Sequence, residues 1–238
     1  MKKNLLITGG SGFLGTNLAM KLRNKYNVFL ASRNQRRNYE ASQKTLCESI
    51  PLDVSNINSI RDVFAYSKPN IVVHAAATKF VDISEKFPFE CSDVNILGSS
   101  NIARVAVEKG VKTVIGISTD KATQPIKNFY GFSKATMEKL FLASNSNSKT
   151  NFLCVRYGNV AWSTGSVFPI WHEMFSKNKI IYNISHKIWN FNFFLIARIL
   201  SQLSRFLTGI EIHPAVKIGQ QDLSFQFGKR CLKKIKQF

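Results

Sequence analysis

Acidic residues are scarce. Fourteen Asp and Glu stand against 33 Lys and Arg in 238 residues, leaving a net charge of +19. Such a surplus can mean nucleic acid or an anionic membrane, or a biased composition with an unselected tail, which is the reading preferred here. The basic residues do not interleave with aromatics as they do in nucleic-acid modules, so no nucleic-acid partner is expected. Nearly half of the surplus falls in residues 176–238, which hold 11 basic and 2 acidic residues. Cysteines are few, and Cys47, Cys91, Cys154 and Cys231 include no pair at metal-ligand or redox spacing. They read as reduced thiols of a cytoplasmic protein, with no metal centre. No signal-peptide pattern opens the chain, since Met1-Lys2-Lys3-Asn4 leads directly into a short apolar run and glycines. No long unbroken apolar run is present either. The most apolar stretch, 188–207, contains Asn190, Asn192, Arg198, Gln202 and Arg205 and is too polar to span a bilayer. Its apolar residues gather on one helical face, so it can lie on a membrane surface or be a helix separated from its packing partners.

What is present is enough apolar residue, 45%, with 12% aromatics, for one sizeable core. Short apolar runs at 4–8, 28–32, 70–77, 112–119 and 151–159 predict strands, with a weaker one at 49–53. Amphipathic stretches at 16–25, 55–68 (with Ser55 as N-cap), 89–109 (closed by Gly110) and 129–144 predict helices. Strands alternating with helices predict an α/β fold, a doubly wound parallel sheet of Rossmann type in order 3-2-1-4-5-6.

After the first strand comes "TGGSGFLG", with Gly9, Gly12 and Gly15 three apart. Glycines there let the backbone approach a pyrophosphate, and the following helix presents free N–H groups to it, so Ser11, Phe13 and Leu14 join the candidate cofactor loop. The segment after the second strand, "ASRNQRR", lacks the acid that binds a ribose 2′-hydroxyl in NAD-binding chains. Ser32, Arg33, Arg36 and Arg37 suit a 2′-phosphate instead, favouring NADP over NAD, unless they form only a solvated basic loop. Further along, "ISTDKATQPIKNFYGFSK" (117–134) sets Thr119, Asp120 and Lys121 side by side. It also puts Tyr130 and Lys134 four apart on one helical face. An ammonium beside a phenol is expected to lower its pKa and make it a base for hydroxyl oxidation.

Taken with "LDV" (52–54), "HAAATKFV" (74–81), "VNILGSSNI" (94–102) and "VRYGNV" (155–160), these motifs resemble those of an extended short-chain dehydrogenase/reductase. The resemblance is to the nucleotide-sugar 4,6-dehydratase subgroup of polysaccharide biosynthesis, UDP-N-acetylglucosamine 4,6-dehydratases including the 5-inverting form. It covers about residues 3–170.

The resemblance implies a lyase working on UDP-N-acetylglucosamine. Tyr130 would start oxidation at C4, Lys134 would hold the nicotinamide ribose, and Thr119 would bond the C4 oxygen. Lys121 would take the C5 proton, and Asp120 would protonate the departing C6 hydroxyl. Asp53 and Val54 would lie by the adenine, and Ala76, Ala77, Thr78 and Lys79 along the cofactor. Lys79, Lys121 and Asn159 would meet the substrate. A homo-oligomer through the helices at 89–109 and 129–144 is expected by analogy. Two departures remove polar groups expected near the sugar: Phe80 replaces a common His, and Thr164 replaces a usual Arg.

Past residue 175 the resemblance changes. Residues 1–175 read as an NADP-binding Rossmann domain of this type, with its substrate domain truncated. Residues 184–220, above all "SQLSRFLTGIEIHPAVKIG" (201–219), resemble the last helix and first left-handed β-helix turn of a serine acetyltransferase. One hexapeptide turn cannot bury its own face, and the pattern is lost after it. Residues 176–238 therefore read as a foreign or degenerate tail from a fused or frameshifted reading frame, ending in a basic C-terminus. Such a chain can also be a non-catalytic dinucleotide-binding remnant, or a basic amphipathic module acting through its tail.

Overall fold

The computed structural model describes residues 2–146, 148–158, 160, 195–196, 199–200 and 202. The chain divides into two compact units, Met1–Gly158 and Asn159–Phe238. In the second unit the described residues 195, 196, 199, 200 and 202 are helical, with Leu195, Ile196 and Ile199 exposed. The expected β-helix turn, the basic C-terminus, Thr164 and Asn159 lie outside the described residues. Among the described residues no helix is long and apolar enough to cross a membrane.

The first unit is built on six parallel strands. They are β1 (Asn4–Thr8), β2 (Asn27–Ser32), β3 (Glu48–Pro51), β4 (Ile71–His74), β5 (Thr113–Thr119) and β6 (Asn151–Tyr157). They lie in the order β3-β2-β1-β4-β5-β6, the doubly wound order expected from the sequence. The helices are α1 (Phe13–Leu22), α2 (Gln35–Thr45), α3 (Ile57–Ser67), α4 (Val81–Lys86), α5 (Pro88–Cys91), α6 (Gly98–Glu108) and α7 (Phe129–Ser146).

Alternate strand side chains feed two cores. Leu5, Ile7, Val28, Leu30 and Val73 pack with Ala19 of α1 and Ala41 of α2 on one face. Leu6, Phe29, Val72, Val114 and Phe152 pack with Phe64 of α3, Ile102 of α6 and Phe141 of α7 on the other. A sheet covered on both faces needs apolar residues at successive strand positions, which is why the central strands read as continuous apolar runs.

Several boundaries differ from the sequence reading. Helix α1 starts at Phe13, not Thr16, because Gly15 packs onto Gly10 inside its first turn. Helix α2 was not expected. It buries only Asn38, Ala41 and Thr45, a seam too small and polar to read as amphipathic, and Asn34 caps it by accepting from Arg37 N. The N-cap of α3 is Asn56 instead of Ser55, whose N–H and hydroxyl both donate to Asp53 Oδ1. Strand β4 ends at His74, and residues 75–80 leave the sheet as a loop. The expected helix 89–109 is α5, a π-helical turn at Ser92–Leu97 and α6, with Gly110 past its end at φ +65°. Helix α4 was also not expected.

Phe141 is fully buried, 5.3 Å from the Phe152 ring centroid and 6.0 Å from that of His74. Phe141→Ala is expected to lower stability by about 3–5 kcal/mol, read from urea midpoints at unchanged m-value.

Candidate active site

Because all six strands are parallel, their C-terminal ends share one edge of the sheet. The sequence motifs gather there: Gly9–Gly15 after β1, Ser32 and Arg33 at β2, Ala75–Lys79 after β4, Thr119 at β5, and Tyr157 and Gly158 at β6. The chain changes direction between the adjacent strands β1 and β4, where such sheets open a ligand crevice.

The glycine turn is shaped by contact with the backbone. Gly9 has φ +67°, and a Cβ there would stand 2.7 Å from Ala76 N. A Cβ on Gly15 would stand 2.5 Å from Gly10 O. Helix α1 has no side-chain cap and no acid in its first turn, so no side chain of that turn answers its leading N–H groups. The buried hydroxyl of Thr78 has no hydrogen-bond partner. These features fit a dinucleotide pyrophosphate and the sugar next to it.

Around this cradle, Ser11 Oγ and Ser32 Oγ are 2.6 Å apart, and Asn38 Nδ2 donates to Ser32 O at 2.7 Å. Arg33 pairs with Glu90 at 3.5 Å, while Arg36 points along α2 to Glu40 at 3.1 Å. Burial first, then the nearby Arg37 charge, lower the Lys79 pKa, so the loop after β4 and helix α2 each bring a cation to this side. The Asp53 carboxyl is held below its ordinary value, first by the Ser55 hydroxyl. Val54 is buried, and a Cβ added at Gly98 would stand 2.7 Å from its Cγ2.

A buried polar chain supports the β4 loop. Ser99 Oγ donates to Asn95 O at 2.5 Å, so His74 Nε2 donates to Ser99 Oγ at 3.0 Å. His74 Nδ1 then accepts from Thr8 Oγ1 at 2.8 Å, and Thr8 Oγ1 accepts from Ala76 N at 3.3 Å. Burial, with a smaller push from the Lys134 charge, lowers the His74 pKa to about 3, keeping the ring neutral as this chain requires. Asn95 in the π-helical turn grips Thr78 by both main-chain groups, at 2.9 and 3.1 Å, and donates to Ser133 Oγ at 2.9 Å. One amide therefore joins the loop after β4 to α7.

Thr119, Asp120 and Lys121 leave β5 through a single 3₁₀ turn, Asp120–Ala122. Thr119 Oγ1 donates to Asp120 Oδ1 at 3.0 Å and accepts from Lys121 N at 3.3 Å. Lys121 Nζ lies 3.5 Å from Asp120 Oδ1. A Cβ on Gly158 would stand 3.4 Å from Asp120 Oδ2. Helix α7 comes so close to this turn that a Cβ on Gly131 would run into the Lys121 carbonyl oxygen. Tyr130, next to Gly131, is therefore brought to the turn, with Thr119 as a hydrogen-bond partner and Tyr157, Cys91 and Asp120 acting on it electrostatically.

The phenol does not behave as the Tyr130–Lys134 spacing suggests. Burial first, then Tyr157, Cys91 and Asp120, push its pKa up to about 12, although the Thr119 hydrogen bond works against them. Lys134 Nζ donates to Met137 Sδ at 3.1 Å instead of serving the phenol. Residues shaping the site that the motif reading passed over are Asn95, Gly131, Glu138, Arg156 and Tyr157. Tyr130-Gly131 and the last strand were visible in the sequence, but the strand's register and these residues' contacts were not. Asn159 lies outside the described residues.

This fold, with its glycine turn, Tyr–Lys helix and strand-edge polar cluster, is of short-chain dehydrogenase/reductase type. The chain belongs to the family described as "Polysaccharide biosynthesis protein", which matches it over residues 5–197. It is 36% identical over 183 residues to a Campylobacter jejuni "UDP-N-acetylglucosamine 4,6-dehydratase (inverting)", a match covering 74% of this chain and 54% of the relative. It is 39% identical over 189 residues to a Rickettsia bellii "UDP-glucose 4-epimerase", with the same coverage. Its fold is similar to that of Pen from Bacillus thuringiensis, with TM-score 0.69 and 31% identity, covering 74% of this chain and 57% of that one. The chain spans about half the length of these curated relatives.

Lys134 is 2% exposed, and burial lowers its pKa from 10.5 to about 8. Between those values the unfolded chain holds one more proton than the folded chain, so stability rises with pH across that window. Below about pH 8 the full cost of burying the ammonium applies. Lys134→Met is expected to raise stability by about 3 kcal/mol at pH 7 and by little above pH 10.5, as measured by chemical denaturation across pH.

Proposed function

We propose that this chain is a cytoplasmic nucleotide-sugar 4,6-dehydratase that takes UDP-N-acetylglucosamine and works with NADP. The observation that carries the reading is the close contact between Gly131 and the Lys121 carbonyl. It brings the phenol helix to a turn that presents an acid and a base on successive residues. Elimination across adjacent carbons needs that pair together.

A bound dinucleotide would supply the hydride chemistry, taking a hydride from C4 and giving it back at C6. Gly9–Gly15 and the first turn of α1 would hold its pyrophosphate, with Arg33, Arg37 and Lys79 near the 2′-phosphate side. Ser11 and Ser32 lie beside the ribose position, and Thr78 offers its unpartnered hydroxyl. Tyr130 takes the C4 hydroxyl proton while Thr119 bonds the same oxygen. Lys121 takes the C5 proton, made acidic by the adjacent ketone, and Asp120 gives a proton to the departing C6 hydroxyl, so one water leaves; a proton returns to C5 as the hydride reaches C6.

One movement reconciles this with a phenol near 12. Lys134 turning from Met137 toward the ribose brings its ammonium to the phenol. The exposed Phe89, Leu97 and Phe132 on α5, the π-helical turn and α7 support a second copy of this chain as partner.

Incubation of the chain with UDP-N-acetylglucosamine and NADP, followed by mass spectrometry, is expected to show loss of one water. Lys121→Ala is expected to slow that loss about 10²–10⁴-fold with little change in nucleotide binding. Dinucleotide binding without any water loss overturns the dehydratase reading and leaves a dinucleotide-binding protein.

A further inference from the structure

Glu138 stands outside the acid–base set, yet it has a defined place. It follows Lys134 by four residues on α7, so the two share a helical face. Its side chain is 12% exposed. Arg156 on β6 grips it at two points, Nε to Oε1 at 2.7 Å and Nη2 to Oε2 at 2.5 Å. The remaining guanidinium nitrogen, Nη1, donates to Thr123 Oγ1 at 3.3 Å, and Thr123 N closes the catalytic turn on Asp120 O at 3.0 Å. The register sets Arg156 opposite Ser118, one residue before Thr119. A planar guanidinium bound at two points fixes both the place and the orientation of a carboxylate.

We propose that Glu138 and Arg156 are positioning residues of this site. Glu138 is the fixed counter-charge that keeps the buried Lys134 ammonium protonated, and Arg156 locks that carboxylate while tying it to the turn bearing Asp120 and Lys121. The proposal rests on the dehydratase reading only for the use made of the ammonium.

The surroundings of Lys134 agree. The groups acting on it or affected by its charge are His74 from β4, Cys91 from α5, Cys154 from β6 and Glu138 from α7. Tyr130 lies one turn before it on α7, and Arg156 lies behind Glu138. Burial keeps His74 neutral and pushes the Cys154 thiol up to about 11, so Glu138 is the carboxylate of the set. Burial also works to raise the Glu138 carboxyl, but Arg156 and the Lys134 charge leave it below its ordinary value and ionised. Cys154 and Arg156 are two apart on β6 and present the same face to α7.

The test is an NMR titration of the full chain carrying ¹³Cε-labelled lysine, with the Lys134 signal assigned by its loss in Lys134→Met. Glu138→Gln is expected to lower the Lys134 midpoint by about one pH unit, and Glu138→Asp to lower it only partway. Arg156→Lys, which keeps the charge but loses the two-point grip, is expected to lower it as well. An unmoved or raised midpoint in Glu138→Gln, with unchanged circular dichroism and Tm, overturns the counter-charge. Should that variant fail to fold, an unmoved midpoint in Glu138→Asp does so. An unmoved midpoint in Arg156→Lys overturns the locking role.

The titration needs no substrate, so it stands apart from the dehydratase reading. A lowered midpoint in a chain that loses no water from the sugar nucleotide supports the counter-charge and overturns only that reading. In an active chain the alkaline limb of kcat is expected to move to lower pH with KM unchanged.

Discussion

A lysine with 2% of its surface exposed is the constraint around which the site is arranged. Burying an ammonium is costly unless other groups answer its charge. Here burial brings its pKa down to about 8, while the Glu138 carboxylate limits the fall. The folded chain bears this cost at neutral pH, and a helix chosen for stability alone would place an apolar residue there. Under the proposed function this lysine is the one that would reach the nicotinamide ribose, which would account for the choice.

The parallel sheet makes that location available. With β1 next to β4 and β5 next to β6, the glycine turn, the Thr78 loop, the Asp120–Lys121 turn and Gly158 all emerge on one edge. Three sets of contacts then hold these loops together. Gly9 lies against Ala76, Asn95 joins Thr78 to Ser133, and Gly131 meets the Lys121 carbonyl. Each is short-ranged and polar or backbone in character, so it sets a position without adding apolar surface at the edge. The apolar contacts that stabilise the unit lie on the two sheet faces, where Phe141, Phe152 and their neighbours are closed to solvent. Site and core are therefore divided between edge and faces, and the site can carry charge without interrupting the core.

Much of this was legible beforehand. The strands were readable because a doubly covered sheet requires runs of apolar residues, and the strand order followed from the glycine turn and the alternation with helices. The site motifs were readable because the chemistry they imply uses uncommon combinations at close spacing. Helix α2 escaped notice because it buries Asn38 and Thr45 where an amphipathic pattern has large apolar residues. The π-helical turn escaped because nothing in "SDVNIL" distinguishes it from an α-helix. Its effect, turning Asn95 onto Thr78, appears only when both segments are placed.

The sequence by itself determined the sheet, its winding and the residues that meet at its edge, since these follow from local apolar patterns, turns and motif spacing. The tertiary structure decided the electrostatic state of those residues. Tyr130 rises toward 12 instead of falling, Lys134 settles near 8 beside Met137, and Arg156 locks Glu138. Desolvation and charge depend on what surrounds a group from every direction, and those neighbours come from segments far apart along the chain.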